Sequence, residues 1–174
     1  LCRLEGAGAG STVIYAVSGW TAPTWYSSQY YFSGGPMNGS YRPDYISGML
    51  LMGGHTDGGR SFMTGIRGVT VNAYYAVLSN PTKKVSGVHA TGYIEENSII
   101  EDINITNFNG FGIGIDTLQG TNTINGLTIR NFWITSSMDR DSVPIMTGAH
   151  SGVTSIRDGT IACPVGREST IYAL

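Results

Sequence analysis

Charge is scarce in this 174-residue chain: Asp, Glu, Lys and Arg make up 13% of it, and the formal net charge is −2. A chain so poor in basic residues lacks the electrostatic footprint of a nucleic-acid binder or a polybasic membrane anchor, so neither partner is expected. Long hydrophobic runs are missing too, and no apolar stretch approaches the roughly 18 residues that span a bilayer. The opening Leu1-Cys2-Arg3-Leu4-Glu5 has neither an initiator Met nor a signal-peptide pattern and reads as the interior of a longer chain. Runs of Ala, Leu, Glu and Lys at helical spacing are absent, so little helix is expected. Cysteine is confined to Cys2 and Cys163, near opposite ends. In stacked coils that advance ~4.8 Å each, several coils would hold the two beyond the ~7 Å Cα reach of a disulfide. Two free thiols are therefore expected. A hard cation needs roughly six to eight oxygen ligands, and no compact acidic cluster supplies them. Glu95-Glu96 and Glu101-Asp102 read as solvated charges beside a strand, so no metal and no cofactor is expected.

What the chain does have is glycine, 25 residues of it, and a repeat. Four segments align: Val69-Thr-Val71-Asn-Ala73-Tyr74, Ile103-Asn-Ile105-Thr-Asn107-Phe108, Leu127-Thr-Ile129-Arg-Asn131-Phe132 and Thr154-Ser-Ile156-Arg-Asp158-Gly159. With Val71, Ile105, Ile129 and Ile156 taken as equivalent, the steps are 34, 24 and 27 residues, an irregular period of solenoid size. Each segment alternates apolar and polar side chains, which puts the apolar ones on one face of a short strand. Asn107, Asn131 and Asp158 follow, residue types that tolerate a left-handed backbone, so the strand should bend there. Stacked coils would bring these three into a ladder, with Tyr74, Phe108 and Phe132 as an aromatic column beside it. The four aliphatic residues should lie one above another in a common core.

Two further apolar runs between glycines, Gly10–Tyr15 and Ser47–Met52, read as buried strands of earlier coils. Asn80-Pro81-Thr82-Lys83-Lys84 reads as a loop projecting from a coil. Eight aromatics fall within 20–45, where Pro23, Gly34-Gly35-Pro36 and Pro43 interrupt any regular element. The chain is therefore read as one all-β domain over 1–174 with an aromatic-rich insertion at about 20–45.

Arg3-Leu4-Glu5-Gly6-Ala7-Gly8-Ala9-Gly10-Ser11-Thr12-Val13-Ile14 resembles the early coil of the pectate-lyase-like superfamily, where a glycine-alternating stretch ending in Thr-Val-Ile is frequent. The glycine-rich, acid-poor coils and the phrase Gly110-Phe-Gly-Ile-Gly-Ile-Asp116 are most similar to phage tailspikes. This resemblance implies a right-handed parallel β-helix, a homotrimer on a virion tail or in the extracellular space, and bacterial surface polysaccharide as the partner, bound and depolymerised. It also implies virion-attachment and trimerising regions outside this stretch. A non-catalytic structural or receptor-binding solenoid and a secreted pectate-lyase-like enzyme are the alternatives. A dinucleotide fingerprint fails, because Ser11 stands where the third glycine belongs and a strand follows rather than a helix.

Glycosidic hydrolysis uses two carboxyls, ~5 Å apart for retention or ~6.5–9.5 Å for inversion. Asp116 lies 11 residues after Ile105 and Asp141 lies 12 after Ile129, roughly one phase of the coil, as does Glu168 relative to Ile156. Asp116 paired with Asp139 or Asp141 is thus the candidate acid and base; the competing reading is of turn-capping carboxylates. For substrate binding the candidates are Trp20, Trp25 and Tyr30, whose flat rings suit the C–H faces of pyranoses but equally suit a protein interface. His55, Asp57 and Arg60 in Gly53–Arg60 join them: Arg can neutralise a uronate, and His or Asp can exchange protons. A plain glycine-rich turn explains the same letters. His150, in a stretch faintly similar to the Gly-His-Gly of polygalacturonases, reads as a turn residue, because that family's aspartate motifs are absent.

Overall fold

The computed structural model describes residues 3–21, 46–52, 60–61, 63–94, 97–118, 126–135, 137–138, 142–147 and 154–162. Parallel β-sheet dominates them. One sheet, here the first, holds β1 (Arg3–Glu5), β2 (Val13–Tyr15), β5 (Gly65–Asn72), β7 (Ser98–Thr106), β9 (Leu127–Ile134) and β11 (Thr154–Ile161). The second holds β3 (Ile46–Met52), β4 (Arg60–Ser61), β6 (Lys84–Ile94), β8 (Phe111–Leu118) and β10 (Val143–Thr147). Every pairing is parallel, and from β5 onward the chain alternates between the sheets, each return adding a strand beside the last. Among the described residues a single helix, α1 (Tyr74–Ser79), interrupts the alternation, in keeping with the absence of helical spacing.

The register reveals a six-residue unit in the first sheet. Ile66 pairs with Ile100, Ile100 with Ile129 and Ile129 with Ile156; Val71, Ile105, Ile134 and Ile161 form a second row. The units are Ile66-Arg-Gly-Val-Thr-Val71, Ile100-Glu-Asp-Ile-Asn-Ile105, Ile129-Arg-Asn-Phe-Trp-Ile134 and Ile156-Arg-Asp-Gly-Thr-Ile161. Their third residues, Gly68, Asp102, Asn131 and Asp158, all have left-handed backbones, with φ of 67°, 50°, 50° and 54°. Plain alternation would turn the residue after an outward Arg67 into the core and send Val69 out. The left-handed residue absorbs one position, so Ile66, Val69 and Val71 all point inward while Arg67 and Thr70 point out. Only Gly, Asn and Asp occupy this position, as the cost of a left-handed backbone for other residues requires.

This register corrects the alignment read from sequence. Val71 does pair with Ile105, and Ile129 with Ile156, but the halves are offset by five residues: Ile105 lies beside Ile134, not Ile129. The cause is that the same pattern, Ile or Leu followed by x-Ile-x-Asn-Phe, occurs at two different bends. Asn131 is the mid-strand bend, whereas Asn107 (φ 60°) follows the strand end and donates from Nδ2 to Asn72 Oδ1 at 3.0 Å. Both asparagines are left-handed as expected, yet they share no ladder. The aromatic column also dissolves: Phe108 is buried, Phe132 sits between Ile103 and Gly159, and Tyr74 starts α1 and is exposed.

The core lies between the sheets. Ile66, Val69, Val71, Ile100, Ile103, Ile105, Leu127, Ile129, Phe132 and Ile134 of the first meet Val85, Val88, Ala90, Ile94, Ile113 and Ile115 of the second. The sheets pack tightly at Gly87, where a Cβ would collide with Ile105 Cγ2 and come within 2.9 Å of the Gly112 carbonyl. Burial fades at the last strand: Ile129 is inaccessible, its neighbour Ile156 is 41% exposed.

The glycine stretch Gly6–Thr12 separates β1 from β2 and passes over the bend at Gly68. Gly6 N–H donates to Arg67 O (2.9 Å) and Gly8 N–H to Gly68 O (3.0 Å), so backbone lies on backbone. A Cβ on Gly6 would strike the Gly68 carbonyl. That contact is the physical reason for glycine there. The strand that follows, β2, is an edge with Val13 and Tyr15 exposed, not the buried strand expected. Of Asn80–Lys84, Pro81 and Thr82 form the exposed turn expected, but Asn80 is buried behind α1, donating from Nδ2 to Ala76 O (2.7 Å) and Trp20 O (2.9 Å), and Lys84 opens β6. Cys2, Cys163 and 22–45 lie outside the described residues.

Candidate functional site

The second position of each unit projects outward from the first sheet, and in register it forms a column of charge: Glu5, Arg67, Glu101, Arg130, Arg157. Glu101 is its hub. Its Oε1 accepts from Arg130 Nε at 2.8 Å and lies 2.8 Å from that guanidinium's terminal nitrogen, while Oε2 is 3.5 Å from Arg67 Nε. The Glu101 side chain is only 15% exposed, so the pair with Arg130 is partly shielded from solvent. That corrects the sequence reading of Glu101 as a solvated charge. Arg67 and Arg157 remain largely exposed.

These side chains border a cleft of about 360 Å³, open to solvent and lined by Arg3, Glu5, Arg67, Glu101, Arg130 and Arg157 together with Gly65, Asn97, Ser98 and Thr128. Four guanidinium groups face two carboxylates, so the cleft is cationic inside a chain of net negative charge. Backbone rigidity comes from the ladder beneath. Strands ~4.8 Å apart fix the spacing of successive charges, and the bend after each keeps them on the outside. Such a cleft can hold an extended, acceptor-rich ligand across several rungs by charge-assisted hydrogen bonds.

The residues anticipated from sequence fall elsewhere. Asp116 is in β8 of the second sheet, opposite Thr91 of β6. Arg60 begins β4 on the other side of β6, opposite Tyr93, so Asp116 and Arg60 flank one strand. Trp20 is half-buried and packs against the core, covering it rather than standing free. Trp25, Tyr30, His55, Asp57, Asp139, Asp141, His150 and Glu168 lie outside the described residues. One register fact bears on the acid pair: β8 and β10 are offset by 32 residues, from Phe111 to Val143, whereas 25 separate Asp116 from Asp141. The phase count assumed the shorter step.

Sequence reasoning missed Arg67, Glu101, Arg130 and Arg157 because their column appears only in the correct register. The signal was available, since Ile-Arg-Asn and Ile-Arg-Asp already stood in two of the aligned segments. An exposed aromatic, Trp133, also went unremarked; it lies beside Asn104 on the outward side beyond the bend. Among known proteins, the chain matches no family model, no curated protein and no solved structure.

Proposed function

We propose that the chain forms a right-handed parallel β-helix of the tailspike and pectate-lyase-like kind, and that it binds an extended bacterial surface polysaccharide along the outside of its first sheet and depolymerises it. The observation that carries this reading is the cleft that crosses five successive rungs, each contributing a charged side chain at one position. Equivalent groups at a regular spacing suit a repeating polymer better than a compact metabolite. Alternation of parallel strands between two sheets supports the helical winding. Exposed Ile156 and Ile161 on the last strand, and Val13 and Tyr15 on β2, leave apolar surface for further protein, in keeping with a homotrimer on a virion tail or in the extracellular space.

Cleavage is assigned to Asp116 with Asp139 or Asp141; Asp116 is on β8, so the polymer held by the first sheet extends to the second for cleavage. The test incubates purified protein with bacterial capsule or lipopolysaccharide and follows oligosaccharide release. Asp116→Asn, Asp139→Asn and Asp141→Asn are compared with wild type; loss of a true acid or base lowers turnover by ~10²-fold or more and spares binding. Release that none of the three variants changes moves the catalytic site elsewhere. One observation favours a binding-only solenoid instead: in the cleft, both oxygens of Glu101 are engaged by arginines. Binding without release would establish that reading.

A further inference from the structure

Four of the five charges in the outward column alternate in sign, Glu5, Arg67, Glu101, Arg130, and then Arg157 breaks the pattern. Arg130 and Arg157 are direct partners on neighbouring strands β9 and β11. Like charges placed opposite each other across a ladder are destabilising. Glu101 offsets Arg130 from the β7 side, but its two oxygens are already engaged by Arg130 and Arg67. Among the described residues Arg157 has Asp158 beside it, 4.0 Å from Nε, with both side chains mostly exposed. A surface pair of that kind contributes little.

From this we infer that the Arg130–Arg157 end of the cleft seats an anionic group of the bound glycan, so that the ligand is an acidic polysaccharide. The inference rests on the polysaccharide reading and sharpens it. A carboxylate, sulfate or phosphate lying between the two guanidinium groups would take the place of the missing acidic rung. It would restore alternation along the column, and planar forks on adjacent strands suit oxyanions. Arg3, on the β1 side of the same cleft, donates from Nε to the Met63 carbonyl at 3.4 Å and adds positive charge at the far end. Glu101 then acts as a positioning residue that holds Arg130 and Arg67 in place.

The test is calorimetric titration of the purified chain with three polymers of one backbone: dextran, carboxymethyl-dextran and dextran sulfate. Wild type is expected to bind at least one charged polymer tenfold or more tighter than neutral dextran, and the two charged arms separate carboxylate from sulfate recognition. Arg157→Glu, which supplies the missing acidic rung within the protein, is expected to reduce charged-polymer affinity to the dextran level while leaving the melting temperature unchanged or higher. Lys83→Glu makes the same change of charge away from the cleft and is expected to keep wild-type affinity. Equal weakening by both variants would mean that net charge alone attracts the polymer, and would overturn the seat. Equal binding of dextran and its charged forms, insensitive to Arg157→Glu, would overturn the seat and leave the polysaccharide reading standing. Binding of none of the three, extended to capsule and lipopolysaccharide with the same result, would overturn that reading and the inference with it.

Discussion

On the second sheet, the face turned away from the core carries His89 and Gly114 as direct partners, both buried, with the Phe111 ring against Gly114. On the first sheet, the corresponding face carries Arg67, Glu101, Arg130 and Arg157 around an open cleft. The two sheets share one core, yet at these positions the outer side of the second is buried and that of the first is charged and open to solvent. Inward composition is nearly the same, β-branched and aliphatic on both. The difference lies in what each strand places outward, and on the first sheet that is a row of charged side chains bordering the cleft.

The strongest way to probe the comparison is at the place where the sheets touch. Ile105 packs against Gly87 across the core and is fully buried, whereas Ile161 holds the same row position on the last strand and is 38% exposed. Ile105→Ala is expected to cost ~2–5 kcal/mol in urea unfolding, and Ile161→Ala about 1 kcal/mol or less. Equal costs would mean that the last strand is as well packed as the middle ones.

Next in size is an effect expected on the second sheet alone. Burial lowers the His89 pKa from 6.5 to about 4. The unfolded chain therefore binds a proton between those values that the folded chain refuses, and stability falls as pH drops from 6.5 towards 4. At 1.36 kcal/mol per unit the loss is about 3 kcal/mol. His89→Gln removes this component, so unfolding midpoints between pH 7 and 4 should fall less steeply in the variant. Parallel slopes would show that His89 takes up its proton in the folded state.

Much of this architecture was legible in the sequence, and the reason is local chemistry. Alternating Ile-x-Ile and the Asn and Asp bends identified strands, their inward faces and their turns. Register was not legible. Asn-Phe follows Ile-x-Ile-x at Asn107 and Leu-x-Ile-x at Asn131, and both asparagines are left-handed, so the local pattern alone cannot say which bend is which. Hydrogen bonding between strands decides it, and that is long-range information. The charged column inherited the error: shifted by five residues, Arg130 and Glu101 no longer share a row, and an ion-paired hub looks like a solvated acid.

The bend itself supports a smaller prediction. Asn131 holds φ at 50°, a region that costs other residues ~1–2 kcal/mol. Asn131→Ala should destabilise by about that much, and Asn131→Gly by less. The reverse order would contradict a left-handed bend in the first sheet. Smallest of all is Arg157→Glu, which exchanges a like-charge neighbour of Arg130 for an opposite one and should stabilise by ~0.2–1 kcal/mol at low salt, an effect that salt should shrink.

The central claim, that the charged cleft on the first sheet holds the glycan, is tested most directly by titrating ¹⁵N-labelled protein with carboxymethyl-dextran oligosaccharides and following backbone amide and arginine Nε–H resonances. Shifts concentrated at Arg3, Arg67, Glu101, Arg130 and Arg157 are the expected result. Arginine resonances that stay unmoved while other amides shift would contradict it.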